Sequence, residues 1–344
     1  MKYVTLGDSG LKISQLIVGC MTFGAKSEYG DWVMEDEDEI MSILKKCYDV
    51  GLRTFDTADM YSNGISESII GKFLKKFNIP RYTVVILSKC YFPVDSNTPG
   101  FVIDGIKNKD PDNMKFINSQ GLSRKHIFDA VHASIERLGT YIDVLQIHRF
   151  DPSTPMLETM RALNDIINEG SVRYIGASSM RATQFAQLQF TAEKNGYHKF
   201  ISMQNFYNLL YREEEREMIP FCQETGVGLI HWSPIARGIL ARPLKMLIES
   251  ERMKSDMAMN NIMKDLSDFD KEIIIRVEKI SVDLNCKMSQ VATAWVLSKG
   301  GCPILGLSSI DRVDEAVASL DVKLTDEQIK YLEHPYKPKT VRGF

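Results

Sequence analysis

Four side chains able to move a proton stand at or just past the ends of consecutive apolar runs. The run Thr54 to Phe55 leads into Asp56, and a loop brings Tyr61 five residues later; Val84 to Leu87 leads into Ser88-Lys89; Val144 to Ile147 leads into His148. Taken singly, each has an ordinary explanation. A strand-closing Asp commonly caps a turn, a loop Tyr is amphipathic surface, a strand-end Lys is solvated, and a lone His is a satisfied polar group of the core. Brought to one end of one sheet, the four form a proton-transfer constellation. A cation at Lys89 beside Tyr61 favours the phenolate and is expected to lower a pKa that is about 10 in isolation. Asp56 is expected to pair with Lys89 and hold it charged and oriented, while His148 hydrogen-bonds a substrate oxygen or passes protons.

The elements that must position these groups alternate along nearly the whole chain. Short apolar runs rich in β-branched residues are followed by helical patterns, the mark of parallel βα units. Eight runs are counted: Leu16 to Val18, Thr54 to Phe55, Val84 to Leu87, Val144 to Ile147, Tyr174 to Ala177, Ile201 to Gln204, Gly228 to Trp232 and Pro303 to Leu307. Each is short enough for a stave of an α/β (β/α)8 TIM barrel. The intervening helices include Glu37 to Val50, with Ile40, Ile43 and Leu44 on one face, and Ser123 to Leu138, opening on a Ser cap. Ahead of the first stave, Tyr3 to Leu6 and Leu11 to Ser14 flank Gly7-Asp8-Ser9-Gly10 and predict an N-terminal β-hairpin that plugs the barrel bottom. Two long loops, Tyr91 to Gly121 and Ser233 to Asp265, leave the C-terminal ends of staves, where barrel active sites form. Residues 1-344 read as one domain.

Composition sets limits. The chain has 344 residues, 44% of them hydrophobic and 25% charged, enough apolar content for a large core. A formal net charge of -3 gives no basic stripe for a phosphate backbone, so nucleic acid is not expected as a partner. The N-terminus lacks the apolar core of a signal peptide, and nowhere do about 18 uncharged apolar residues run together. A cytoplasmic location without membrane contact is the expectation. Cys20, Cys47, Cys90, Cys222, Cys286 and Cys302 include no C-x-x-C pair and read as reduced, mostly core-packing thiols.

The stretch Gly51-Leu52-Arg53-Thr54-Phe55-Asp56-Thr57-Ala58-Asp59-Met60-Tyr61 resembles the G-x-R-x-F-D-T-A-x-x-Y-G signature of the aldo-keto reductase family, with Ser62 where Gly is usual. The lysine strand, the Ile-His strand and later motifs follow in that family's order, so the resemblance covers essentially the whole chain. Gln146-Ile147-His148-Arg149-Phe150-Asp151 and the long loop after Lys89 look most like fungal aryl-alcohol dehydrogenases. The resemblance implies Tyr61 as general acid, Lys89 and Asp56 as its tuning pair, and His148 as orienter of the carbonyl. It further implies NADP(H) as cofactor and a small aldehyde, ketone or alcohol as substrate. No metal is called for.

A Rossmann fingerprint is missing, because Gly226-Val227-Gly228 has His231 where a third glycine would stand. Instead, Val172-Arg173-Tyr174-Ile175-Gly176-Ala177-Ser178-Ser179 is similar to the family strand whose last two side chains bind the carboxamide, with Ser179 in place of Asn. Gln204 matches the amide partner on the next stave, and Trp232 the aromatic that stacks on nicotinamide. Ser233, Pro234, Ile235 and Gly238 look like the loop along the pyrophosphate, with Gly19 and Met21 counted beside it and Arg252 folding over the diphosphate. Near the end, Gly306, Ser308, Arg312 and Glu315 surround a helix N-terminus suited to an anion. Arg312 is the candidate for the 2′-phosphate and Glu315 for the adenine amino group. Trp32, Tyr91 and Phe92 sit in mouth loops and suggest an aromatic or apolar carbonyl compound. Two rival readings remain: a cofactor-binding redox-sensing partner subunit with little turnover, and a non-redox barrel hydrolase using Asp56 and Asp151.

Overall fold

The computed structural model describes residues 1–95, 116–247 and 266–342. An antiparallel hairpin opens it, β1 (Tyr3–Thr5) against β2 (Lys12–Ser14), in the register Val4 to Ile13. Eight parallel strands follow: β3 (Ile17–Gly19), β4 (Thr54–Asp56), β5 (Val85–Cys90), β6 (Ile142–Ile147), β7 (Val172–Ser178), β8 (Ser202–Phe206), β9 (Gly228–Trp232) and β10 (Cys302–Gly306). They close into a barrel, with β10 pairing both β9 and β3. This is the (β/α)8 arrangement with its N-terminal hairpin. Strand ends move by up to three residues from the apolar runs, most at β5, which runs on to Cys90, because pairing rather than composition sets where a ladder stops.

The period of two along each strand divides inside from outside. Leu87, Val144, Ile230 and Ile304 point into the barrel, where Leu6 and Ile13 of the hairpin pack against them from below. Gly226 and Gly228 belong to that lower end. The Asp8 amide donates to the Gly226 carbonyl at 2.7 Å, and a Cβ at Gly228 would meet Gly7 nitrogen at 2.7 Å. These glycines therefore serve close packing of the plug. Outward-facing Ile86, Leu145, Ile147, Ile175 and Met203 join the helices in the larger core.

Helices form where the sequence supplies a stripe and a cap. Glu37–Asp49 buries Ile40, Ile43 and Leu44, and Asp36 caps it by accepting from the Glu39 amide. Ser123 caps Arg124–Leu138 in the same way, accepting from the His126 amide at 3.2 Å. Among the described residues no helix is long and apolar enough to cross a membrane. All six cysteines are free, and only Cys286 is not fully buried.

Candidate active site

One inward step above the apolar layer, the same period of two puts Asp56, Lys89, Gln146 and Gln204 at the C-terminal end of the barrel interior. Asp56 and Lys89 are 2% and 1% exposed, so their charges must be satisfied internally. Lys89 Nζ donates to Asp56 Oδ1 at 2.6 Å, to the Thr57 carbonyl at 2.8 Å and to Tyr61 Oη at 3.2 Å. The other carboxylate oxygen, Oδ2, accepts from Gln146 Nε2 at 3.0 Å and Gln204 Nε2 at 2.7 Å. A single carboxylate on β4 thus joins β5, β6 and β8 across the barrel interior.

Tyr61 rises from the turn after β4. Ser62 behind it adopts φ 44°, the left-handed region that favours Gly, and its hydroxyl accepts from the Ala25 amide at 3.2 Å. The His148 ring lies edge-on to Tyr61, 6.0 Å between centroids. Burial pushes the Tyr61 pKa up from its ordinary value, and the Lys89 cation offsets only part of that rise. The expectation of a lowered phenol pKa is therefore overturned. Desolvation, which spacing along the chain does not reveal, is the larger effect. Burial also works against the Lys89 charge, but Asp56 and Tyr61 outweigh it and hold its pKa above the usual lysine range. His148 is pressed well below its ordinary value by burial, then by Arg149 and Lys89, so it is neutral near pH 7. Its Nδ1 is buried with no hydrogen-bond partner.

These groups open into a cavity of about 780 Å³ that also takes in the ends of β3, β9 and β10. Gly19, Met21, Asp56, Tyr61, His148, Ser178, Gln204 and Trp232 line it, as do Ser233, Pro234, Ile235, Gly238, Gly306, Ser308, Arg312 and Glu315. Lys89 lies beneath Tyr61 and not on the wall. Of the mouth aromatics, Trp32 and Phe92 line the cavity and Tyr91 does not. Tyr91 turns its ring onto the core and meets Phe92 edge-on at 4.9 Å, because neighbours in extended chain face opposite ways. Arg252 lies outside the described residues.

Two further expectations change. Ser179 does not line the cavity; its hydroxyl accepts from Trp232 Nε1 at 3.0 Å and so orients the indole. Its φ of 42° turns the chain there, and the side chain meets the nitrogen edge of the ring. Trp232 is stacked from behind by Phe206, 4.4 Å between centroids at 22°, and Phe206 by Tyr211. Asp151 does not face Asp56 as a second catalytic carboxylate. It accepts from the Leu122 amide at 2.7 Å, from the Ser153 amide and hydroxyl, and from the Thr154 hydroxyl, a loop-ordering role. Those hydrogen bonds hold its carboxyl below the usual range although burial opposes them.

The cavity suits a dinucleotide. Ser233, Ala236, Arg237 and Gly238 all have positive φ, at 55°, 48°, 57° and 103°, and the Ala236 and Gly238 amides close tight turns onto the Ser233 and Ile235 carbonyls, so the chain bends sharply along the cavity edge. A Cβ at Gly238 would meet nothing within 4 Å, so the loop leaves room beside it. At the far end, the helix Ile310–Ala318 starts from Ser309, which accepts from the Arg312 amide, and Arg312 Nη1 donates to Ser308 Oγ at 2.8 Å. Glu315 accepts from the Ser289 hydroxyl. Gln146, Arg149 and Ser289 were not singled out by sequence reasoning; for Gln146 the signal was its inward register, one residue before an Ile known to face the core.

The barrel thus gathers Asp56, Tyr61, Lys89 and His148 at its C-terminal mouth, and similarity to known proteins gives the class to which it belongs. The family model described as "Aldo/keto reductase family" matches residues 15–337. The chain belongs to the aldo/keto reductase family, oxidoreductases acting on aldehydes and ketones. It is 54% identical over 345 residues to a Schizosaccharomyces pombe protein named "Putative aryl-alcohol dehydrogenase", covering 99% of this chain and 97% of that one. A Saccharomyces cerevisiae protein of the same name is 55% identical over 346 residues, with 99% of each chain covered. Versiconal hemiacetal acetate reductase of Aspergillus parasiticus is 54% identical over 345 residues, with 99% of this chain and 98% of that one covered.

Proposed function

We propose that the chain interconverts an aromatic or apolar aldehyde or ketone and its alcohol with NADP(H), and that Tyr61 is the general acid. The observation that carries this reading is the Tyr61 hydroxyl, which fronts the cavity while accepting from a buried Lys89 locked onto Asp56. Bound nicotinamide would supply the hydride, or take it in the reverse direction. Everything else is done by side chains of this chain. Tyr61 donates its proton to the carbonyl oxygen as negative charge develops there, and Lys89 stabilises the phenolate left behind. Because burial keeps the phenol protonated at neutral pH, the acid is in its working form for reduction. Neutral His148 orients the carbonyl by hydrogen bonding without competing as a cation. Asp56, Gln146 and Gln204 hold Lys89 in place.

Ser178, Gln204, Trp232, the turn from Ser233 to Gly238, and the Gly306 to Glu315 stretch would hold the cofactor, with Arg312 on the 2′-phosphate. Trp32, Phe92 and Met60 on the cavity wall favour a flat or apolar substrate. The names of the yeast relatives point the same way. The intact set of four weighs against a non-catalytic redox-sensing subunit, and the engaged Asp151 against a hydrolase. Six unbridged thiols support a reducing, cytoplasmic setting, and we take residues 1–344 to work as one unit. The deciding experiment follows NADPH oxidation with a panel of aromatic and aliphatic aldehydes. Saturable turnover of the aromatic members is expected, and no oxidation with any of them would remove the reading.

A further inference from the structure

Arg149 follows His148 immediately, and its side chain lines the cavity at the reacting end. A guanidinium carries five N–H donors and stays charged in proteins. Here one of them, on Nη1, donates to the His148 carbonyl at 2.5 Å, and the cation lies over the Phe92 ring at 5.9 Å. Among the described residues no carboxylate forms an ion pair with it. Three other part-buried arginines are compensated, Arg81 by Asp143 at 2.5 Å, Arg137 by Glu67 at 2.7 Å and Arg212 by Glu215 at 2.7 Å, while Arg53, which like Arg149 has no ion pair among the described residues, lies over the Tyr48 ring away from this cavity. Burial presses Arg149 down from its ordinary range, and the groups opposing this are the Tyr61 and Tyr91 hydroxyls. A withdrawn cation without a counter-charge is costly unless something supplies one.

The charges around it point to the missing partner. Lys89 and Asp56 cancel one another, and His148 is neutral, so the reacting end of the cavity keeps the Arg149 charge as surplus. Beside it the lining is apolar, with Phe92 against the guanidinium and Trp32 and Met60 also on the cavity wall. We infer that Arg149 is a specificity residue that anchors an anionic group of the substrate, and that the preferred substrates are aromatic or apolar carbonyl compounds bearing a carboxylate. The inference rests on the reductase reading for the carbonyl and on Arg149 alone for the anion. A planar guanidinium fork matches a carboxylate, and hydrogen bonds to charged groups of this kind change affinity by about 10- to 150-fold.

The test compares 4-carboxybenzaldehyde with its methyl ester, which keeps the shape and loses the charge. The wild-type ratio of kcat/KM values, acid over ester, is expected to exceed about 10, and Arg149→Met to bring it to near one. Arg149→Lys, which keeps the charge but not the fork, should retain an intermediate ratio. The ratio is the readout because a general disturbance of His148 would lower both substrates together. In parallel, quenching of tryptophan fluorescence by benzoate, against methyl benzoate, measures anion binding without turnover and should depend on Arg149. Turnover of the ester with no preference for the acid, or an equal ratio in wild type and Arg149→Met, overturns the inference and leaves the reductase reading standing. Absence of turnover with Arg149-dependent benzoate binding does the reverse.

Discussion

Tyr61→Phe removes one hydroxyl and leaves Lys89 its bonds to Asp56 and the Thr57 carbonyl, so the fold and cofactor binding should survive. The expected loss in kcat is about 10²- to 10⁴-fold, the usual worth of general acid catalysis; activity within about threefold of wild type would assign the proton to another group. Lys89→Met acts differently. It strands the Asp56 carboxylate in a dry interior, at a cost of about 3–5 kcal/mol, which denaturant titration measures. It also takes away the larger of the two cations, Lys89 and Arg149, that lower the Tyr61 pKa, so that pKa should climb further and reduction should fall at every pH; an unchanged rate and an unchanged basic limb would separate Lys89 from Tyr61. The four residues were legible in the sequence because their strand-end positions alone place them together. The direction of the phenol's titration was not, because it depends on how little water reaches it.

At the scale of the element, the helix Ile310–Ala318 carries the argument for cofactor choice. Its N-terminus faces the cavity, and Arg312 forms no ion pair among the described residues, so the side chain is not committed to a surface partner such as Asp311. Arg312→Leu should weaken NADPH by about 10- to 150-fold and leave NADH nearly unchanged. Fluorescence titration of both cofactors decides, and equal weakening of the two, or of neither, would reassign Arg312. The strands show what a sequence can convey about elements. Alternation and β-branched runs located all eight staves and the plug, since burial of one strand face in the barrel and one under helices leaves an apolar signature. Side-chain direction at irregular backbone was hidden: Ser179 at φ 42° turns to the nitrogen edge of Trp232, and Tyr91 turns to the core while Phe92 lines the cavity.

For the molecule as a whole, acid sensitivity follows from buried imidazoles. His231 is held to a pKa of about 3 by burial, with neither ring nitrogen hydrogen-bonded. Unfolded, it would bind a proton near pH 6.5, so stability is full above that pH and falls as pH drops from about 6.5 towards 3, by about 1.4 kcal/mol per pH unit on this residue's account. His231→Leu should flatten the slope by that amount in urea titrations across this window; parallel slopes would show that His231 is not the group responsible. A different consequence attaches to the Asp56 carboxylate that joins β4, β5, β6 and β8. None of these four staves can breathe on its own without tearing this knot, so local opening of their catalytic ends is suppressed and the amides flanking Asp56, Lys89 and Gln204 should exchange with deuterium only through global unfolding. Inactivation and loss of the barrel then become one event: along a denaturant series, turnover and circular dichroism should decline on the same curve, with no loosened, inactive, still-folded form between them.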